Sequence, residues 1–187
     1  MSCPRTKPAW SSLLGNSRLT TIPIICFGHL SIMVQVGDEI PSISLCEENP
    51  SDYVDLKKEL AEGNGLIIGV PAAFSPTCSD THIPDYISSP SLSSAGKVFV
   101  VSVNDAFVMR AWGKSLDKEK KSGIRFLGDA TGAFTKALSV DFDATSALGN
   151  VRSKRYAIKT VNGKVSGVFI EPDNTGLDVS AAQKILA

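Results

Sequence analysis

Alternating apolar and polar segments along the chain predict strands and helices in alternation. Three short apolar runs are long enough for one buried strand each: Leu66–Val70, Lys97–Val103 and Ile124–Asp129. Ser42–Cys46 alternates as a further strand does. Helical spacing of apolar residues occurs in Asp52–Leu60, after the capping pair Asn104-Asp105, and in Gly132–Leu138. This order is typical of an α/β fold.

The last part of the chain predicts a β-hairpin and a terminal helix. Arg155–Thr160 and Lys164–Ile170 are strand-like, and Val161-Asn162-Gly163 joins them. Asn-Gly is the strongest short hairpin signal. Ser180–Ala187 predicts the helix. Because a hairpin is antiparallel and strand–helix–strand units are parallel, we expect a mixed central sheet flanked by helices.

A cysteine lies where the first apolar strand gives way to a helix. Pro71 ends the strand because proline has no N–H for a ladder. Ser75 and Pro76 are typical of an N-cap and a first helical residue. We therefore expect Cys78 in the first helical turn, facing unpaired backbone N–H groups. Pro84 is expected to kink or interrupt this helix.

This placement favours the thiolate, which is the nucleophilic form of cysteine. A helix N-terminus and one nearby cation are enough to make a thiolate the main form at neutral pH. A buried structural cysteine is the alternative, and the strand–turn–helix context favours the nucleophile.

Charge is distributed unevenly along the chain. The sequence has 19 basic and 19 acidic residues, but residues 1–37 contain only basic ones, Arg5, Lys7 and Arg18. The mildly acidic remainder has no basic stripe, which argues against nucleic-acid binding. We interpret residues 1–35 as a leader or non-domain extension and residues 36–187 as one domain.

The leader has the composition of a mitochondrial transit peptide, because it is rich in Ser and Thr and free of acids. A cytoplasmic product that begins near Met33 is the alternative. The apolar end of the leader is too short to span a bilayer, so we predict no membrane association.

The four cysteines are Cys3, Cys26, Cys46 and Cys78, and none forms a C-x-x-C pair. Neither a zinc ribbon nor a dithiol oxidoreductase is therefore indicated. Cys78 and His82 have the spacing of half a zinc site, but a second pair of ligands is missing. No metal or cofactor site is predicted.

The stretch around Cys78 also resembles a known family. Pro71-x-x-x-Ser75-x-x-Cys78 resembles the peroxiredoxin signature Pro-x-x-x-Thr/Ser-x-x-Cys. The string VPAAFSPTCSDTHIPDYI resembles the peroxiredoxin-5-like (type II) subfamily, including the fungal alkyl hydroperoxide reductases, and the likeness runs from Val36 to the C-terminus. It implies a thioredoxin-like fold and a thiol peroxidase that reduces hydrogen peroxide and alkyl hydroperoxides.

The resemblance implies roles for four residues. Cys78 is expected to be the peroxidatic nucleophile, which passes through a sulfenic acid. Ser75 is expected to hydrogen-bond the peroxide and the sulfur, and Pro71 to shield the thiolate from water. Arg155, at the position of the family's arginine, is expected to supply the cation.

Five further residues are expected outside the chemistry. Arg152 is interpreted as a surface residue, and His82 as a structural hydrogen-bonding group rather than a base. Phe107, Met109 and Trp112 resemble the patch through which the subfamily dimerises, although some of the three are expected to be ordinary core residues. A homodimer is expected.

The sequence leaves open how the oxidised form of Cys78 is reduced. The usual resolving positions of the subfamily hold Val179 and Val100 here. Cys46 has the spacing of a cysteine that some fungal relatives use across the dimer, and a buried structural residue is the alternative. We favour a one-cysteine cycle with glutathione and glutaredoxin, or thioredoxin, as reductant.

Two other functions are weighed against a peroxidase. A thioredoxin-type oxidoreductase would need a cysteine where Ser75 stands. A redox sensor or chaperone without turnover would keep Cys78 and pass its oxidation to a partner protein.

Overall fold

The computed structural model describes residues 33–187, so the predicted transit peptide lies outside the described residues. The strands are β1 Ser44–Cys46, β2 Tyr53–Asp55, β3 Asn64–Gly69, β4 Lys97–Ser102, β5 Arg125–Gly128, β6 Asp141–Asp143, β7 Val151–Ser153, β8 Tyr156–Val161 and β9 Lys164–Ile170. The α-helices are α1 Leu56–Glu59, α2 Ile83–Ser88, α3 Ala106–Leu116, α4 Ala133–Ala137, α5 Thr145–Leu148 and α6 Ala182–Ile185. A π-helix covers Cys78–His82 and a 3₁₀-helix covers Leu92–Ala95.

A seven-stranded mixed sheet forms the centre of the domain, in the order β2-β1-β5-β4-β3-β8-β9. Strands β3, β4 and β5 pair in parallel, whereas β8 is antiparallel to β3 and β9 is antiparallel to β8. The three apolar runs are therefore the adjacent parallel strands, which are buried on both faces. The predicted mixed sheet flanked by helices is confirmed.

Two apolar clusters fill the domain, and side chains of the central strands alternate between them. One cluster contains Ile67, Phe99 and Leu127. The other contains Ile68 and Val100, together with Cys78 and helix side chains. This alternation follows from the two-residue period of a strand. The cysteine thus lies in the core and not in a surface loop.

The hairpin between β8 and β9 is confirmed. Asn162 and Gly163 have φ values of 49° and 78°, both in the left-handed region. A two-residue turn with positive φ at both positions matches the twist of its strands.

Asp52–Leu60 is not a single helix. Its first half is β2, in which buried Val54 pairs with Leu45 of β1. Only Leu56–Glu59 is helical, and the Asp55 side chain caps it by accepting from the Lys57 amide. In so short a segment the same apolar positions fit the two-residue period of a strand and the 3.6-residue period of a helix, so the pattern could not distinguish a strand from a helix.

A second sheet was absent from the sequence prediction. Strands β6 and β7 form an antiparallel pair that precedes Arg155 in the chain. Each strand has three residues, which is too short for periodicity to be read. Packing begins slightly before the predicted boundary at residue 36, because Val34 is buried in the first cluster.

No helix within residues 33–187 is long and apolar enough to cross a membrane.

Candidate active site

Cys78 lies at the start of a helix, as predicted. The helix begins at Pro76, and its first backbone hydrogen bond runs from the Ser79 amide to the Ser75 carbonyl. Cys78 is therefore the third helical residue, and its own N–H precedes the first bond of the helix. This end of the helix favours negative charge on the sulfur.

The helix does not end at Pro84. The residues from Cys78 to His82 are π-helical, and the Ile83 amide donates to the carbonyl of Cys78, five residues earlier. α2 then continues through Pro84, which lies directly after the π-helical turn. Proline has no N–H to donate to the preceding turn, and the regular α-helical pattern is interrupted at that point. The wide turn was not visible in the sequence, although π-bulges often occur at functional sites.

Arg155 reaches the sulfur. Its Nη1 lies 3.3 Å from Cys78 Sγ, and both side chains are buried, at 2% and 0% exposure. The sheet explains this contact across 77 residues of sequence. Gly69 at the end of β3 pairs with Tyr156 at the start of β8. The segment after β3, which carries Cys78, and Arg155 just before β8 therefore lie at the same end of the strands.

The Arg155 guanidinium is held by neutral groups. Its Nε donates to the carbonyls of Thr175 and Gly176, at 3.1 and 2.8 Å, and its Nη2 donates to Thr175 at 3.1 Å. None of the ion pairs found within residues 33–187 includes Arg155. A buried cation without a carboxylate partner favours an anion beside it, and the thiol of Cys78 is a group in contact that can become one.

His82 is a hydrogen-bonding residue of the core. Its Nδ1 lies 3.0 Å from Arg155 Nη1 and its Nε2 lies 3.2 Å from the Ser180 carbonyl. Burial, and then the charge of Arg155, lower the pKa of His82 to about 3. The neutral ring therefore donates from Nε2 to Ser180 and accepts from Arg155 at Nδ1.

Ser75 lies before the helix but does not cap it. Its hydroxyl donates to the Ala72 carbonyl at 2.9 Å, so its proton is turned away from the sulfur. The expected bond from Ser75 to Cys78 is not formed in this structure, while the oxygen lone pairs are left to accept a bond from a peroxide. The same loop is fixed by the Ala73 amide, which donates to Asn104 Oδ1.

Pro71 ends β3 as expected and is buried. Close packing behind it depends on a glycine. A Cβ at Gly69 would lie 2.0 Å from Cε1 of Tyr156, so the tyrosine ring fills the space of the missing side chain. Tyr156 follows Arg155 directly in the chain, so this close packing lies next to the arginine.

The family of the chain follows from comparison with known proteins. The family model described as Redoxin matches residues 35–186. Peroxiredoxin-2C of Oryza sativa subsp. japonica is 37% identical over 159 residues, covering 82% of this chain and 96% of the relative. The chain belongs to the redoxin family and is a peroxiredoxin. Peroxiredoxins are thiol peroxidases, so it is an enzyme that reduces peroxides with a thiol.

Other relatives agree with this assignment. Peroxisomal membrane associated protein 20 of Schizosaccharomyces pombe is 44% identical over 158 residues, covering 83% of this chain and 99% of the relative. The crystal structure of peroxiredoxin 5 from Alvinella pompejana has a TM-score of 0.71 and 35% identity, covering 82% of this chain and 96% of that one. The structure of reduced Prx3 with H₂O₂ from Vibrio vulnificus has a TM-score of 0.75 and 34% identity, covering 82% and 98%. A peroxiredoxin-5-like subfamily and a thioredoxin-like fold are thus supported.

Arg152 of this peroxiredoxin is half-buried and hydrogen-bonded, not a freely solvated surface residue as expected. Its Nη1 donates to the Val103 carbonyl at 2.8 Å and its Nη2 donates to the Leu148 carbonyl at 3.3 Å. It lies on β7, and burial lowers its pKa. The interpretation failed because β7 was not predicted, and the residue therefore seemed to lie in a loop.

Two of the three residues of the proposed dimer patch belong to the core. Met109 and Trp112 are fully buried within one chain, and Trp112 Nε1 donates to Ser79 Oγ at 3.0 Å. Only Phe107 is exposed, at 54%. Phe74 beside the active-site loop is exposed to a similar degree, with a positive φ of 61°.

Cys46 is a half-buried residue on β1, and its Sγ lies 3.7 Å from the Pro50 carbonyl. Both Cys46 and Cys78 are free thiols in this structure. Strands β5 and β4 separate β1 from β3. Three strand spacings, about 14 Å, therefore lie between β1 and β3, the strand that leads towards Cys78. A disulfide within one chain needs Cα atoms less than about 7 Å apart.

Within residues 33–187 no group of three or more His, Cys, Asp or Glu side chains is arranged to hold a metal ion.

Proposed function

We propose that Cys78 is the peroxidatic cysteine and that Arg155 holds it as a thiolate. The contact of 3.3 Å between Arg155 Nη1 and Cys78 Sγ is the observation that carries this proposal. In the first step the thiolate attacks one peroxide oxygen. An S–O bond forms, the O–O bond breaks, and the other oxygen leaves as hydroxide or alkoxide that takes up a proton. The products are a sulfenic acid and water or an alcohol.

Arg155 has two tasks in this step. Its charge favours the thiolate before the reaction, and its N–H groups stabilise the negative charge that moves onto the peroxide oxygens. Because the guanidinium is already held by the carbonyls of Thr175 and Gly176, it does not reorganise as the reaction proceeds.

Ser75 and Pro71 prepare the peroxide and the sulfur. The Ser75 oxygen, whose proton is donated to Ala72, accepts a hydrogen bond from the peroxide O–H and fixes its approach. Buried Pro71 limits the access of water to the thiolate. The absence of exposed surface on Cys78 favours small hydroperoxides.

Reduction proceeds by a one-cysteine cycle in this proposal. A glutathione thiol attacks the sulfenic sulfur, releases water and leaves a mixed disulfide. A second thiol, from glutathione through glutaredoxin, then returns Cys78 to its thiol and forms oxidised glutathione. Thioredoxin is the alternative reductant. The distance of Cys46 from the site supports a cycle without it in the same chain.

The test is peroxide consumption with glutathione and glutaredoxin, and in parallel with thioredoxin. The wild type should turn over many peroxides, and Cys78→Ser should turn over none. A single stoichiometric oxidation with neither reductant giving turnover would favour a sensor or chaperone. A peroxide-induced dimer on a non-reducing gel that disappears in Cys46→Ser would contradict the one-cysteine cycle.

A homodimer is also proposed, formed around exposed Phe107 and Phe74. Both are large apolar side chains left more than half exposed, and aromatic residues are enriched at protein–protein interfaces. Sedimentation should give a dimer at micromolar concentration, and Phe107→Glu should give a monomer. A wild-type monomer would contradict this proposal.

For localisation we propose mitochondrial import directed by residues 1–32. A fluorescent protein fused behind these residues should enter mitochondria, whereas a fusion to the chain from Met33 should stay in the cytoplasm. Cytoplasmic signal from the first fusion would contradict import.

A further inference from the structure

The Cys78 site is connected to a buried carboxylate that the mechanism above does not use. Glu171 follows β9 directly and is 2% exposed. None of the ion pairs within residues 33–187 includes it. A buried carboxylate without a cation is costly unless hydrogen bonds satisfy it. Its retention in the core therefore needs a physical explanation.

Three donors satisfy a single oxygen of this carboxylate. Oε1 of Glu171 accepts from the Asp178 amide at 2.8 Å, from the Ser180 amide at 2.9 Å and from Ser180 Oγ at 2.7 Å. Burial alone would raise the pKa of Glu171, but the hydrogen bonds from the Ser180 side chain and from the Ser180, Asp178 and Val179 amides together outweigh it and lower the pKa. The carboxylate is thus ionised and holds Ser180 by two bonds.

Ser180 in turn hydrogen-bonds the imidazole ring of His82, which lies beside the active site. Its carbonyl accepts from Tyr86 Oη at 2.7 Å and from His82 Nε2 at 3.2 Å. A carbonyl at that point requires a proton on Nε2 of His82. The other nitrogen, Nδ1, is then free to accept from Arg155 Nη1, the same atom that contacts Cys78.

A second route reaches Arg155 through the backbone. The Glu171 amide donates to the Arg155 carbonyl at 3.0 Å. The segment between the two points that Glu171 holds contributes the carbonyls of Asn174, Thr175 and Gly176 to Arg155. The carboxylate therefore fastens the end of the loop that wraps the guanidinium.

We propose that Glu171 is a positioning residue of the Cys78 site, which acts through Ser180 and His82 on the direction of the Arg155 guanidinium. The proposal rests on the proposed roles of Cys78 and Arg155. Charge-assisted hydrogen bonds are stronger and shorter than neutral ones, so a carboxylate fixes Ser180 more firmly than an amide does. The ionisable groups around Cys78 on this side are Arg155, His82, Tyr86 and Glu171.

The main variant is Glu171→Gln in the full-length chain, because glutamine keeps the shape and one acceptor oxygen. We expect the reaction with hydrogen peroxide, followed by stopped flow, to slow about tenfold. We also expect the pH profile of Cys78 alkylation by iodoacetamide, measured on its peptide by mass spectrometry, to move to higher pH. An unfolded chain would expose Cys78 as an ordinary thiol and would itself move this profile to higher pH, so the profile is measured on protein that circular dichroism shows to be folded. Loss of folded protein alone would lower the amplitude of the stopped-flow signal without changing its rate constant.

Two further variants grade the effect. Ser180→Ala removes only the hydroxyl bond to Glu171 and should slow the reaction about threefold, with a smaller shift of the profile. Asp178→Asn is the matched control on the same loop. It removes an exposed ion pair with Lys184 but keeps the backbone bond to Glu171, so rate and profile should be unchanged.

The inference is wrong if folded Glu171→Gln has the wild-type rate and profile. If that variant does not fold, Ser180→Ala decides the question, and an unchanged profile there overturns the inference. Failure of the proposed function is distinct, since it would show as peroxidase activity that survives in Cys78→Ser.

Discussion

Two arginines contact the central sheet, and their surroundings differ in one respect. Arg125 on β5 is bound by two carboxylates, with bonds of 2.9 and 2.7 Å to Glu47 and 3.2 Å to Glu59. Its side chain is one-third exposed, at 34%. Arg155 is fully buried and contacts carbonyls, a neutral histidine and the sulfur of Cys78. The charge of Arg125 is neutralised by carboxylates, whereas the charge of Arg155 can act on the sulfur of Cys78.

The comparison supports the proposed roles, in which Arg125 is structural and Arg155 serves the chemistry. The carboxylates around Arg125 raise its pKa and leave no excess positive charge to act on a substrate. The carbonyls around Arg155 fix its direction without cancelling its charge. A buried charge of this kind is costly for folding, and it is offset when Cys78 is a thiolate.

The largest expected effect is the difference in rate between two variants in which either arginine is replaced by methionine. Arg155→Met should slow the reaction with peroxide by about 10²–10³-fold, the usual effect of removing a donor that stabilises developing charge. Arg125→Met is the matched control and should react at the wild-type rate. Stopped-flow kinetics on both proteins measure this, and equal losses would break the distinction.

The neutral histidine beside Arg155 predicts a pH dependence of stability. The pKa of His82 is about 3 in the folded chain against 6.5 for the free side chain, so only the unfolded chain takes up a proton between these values. Stability should therefore fall by about 1.4 kcal/mol for each pH unit below about 6.5. Urea unfolding between pH 7.5 and 5 should show this slope in the wild type.

His82→Asn is the control for this slope, because it removes the titrating group. Its free energy of unfolding should vary less over the same pH range. A slope equal to that of the wild type would show that other groups cause it.

A smaller effect is expected from substitution of Ser75, which alters the site without changing either arginine. Ser75→Ala should slow the reaction with peroxide about tenfold by removing one hydrogen bond to the substrate. Ser75→Thr keeps the hydroxyl and should retain most of the rate. A threonine variant as slow as the alanine variant would argue against a role for the oxygen.

The smallest effect is on the stability contributed by Arg125. Arg125→Met should lower the free energy of unfolding by about 1 kcal/mol, because ion pairs near the surface are screened by solvent. Added salt should reduce the difference between the two proteins. Urea titrations at low and high salt measure it, and a difference that does not respond to salt would point to lost packing.

The sequence alone predicted the central strands, the hairpin and the first-turn placement of Cys78. These depend on local signals, such as Pro76 after Ser75 and Asn162-Gly163. The position of Arg155 came from the family resemblance, since its contact with Cys78 depends on the register of β3 against β8. The roles of Ser180 and Glu171 could not be predicted, because their contacts join residues far apart in sequence.

Misassignments arose where tertiary packing decides between equal local patterns. Met109 and Trp112 have the helical spacing of an exposed patch and of a core face alike, and the structure places both in the core. Arg152 was misread because the three-residue strand that carries it is invisible to periodicity.

Gly69 has a consequence for how this chain can evolve. Any other residue there would push against the ring of Tyr156, the residue that follows Arg155 in the chain. A mutation to alanine would thus damage the enzyme from a position that touches neither peroxide nor sulfur. Tolerance to genetic change near this reactive centre is limited by a residue that has no side chain at all.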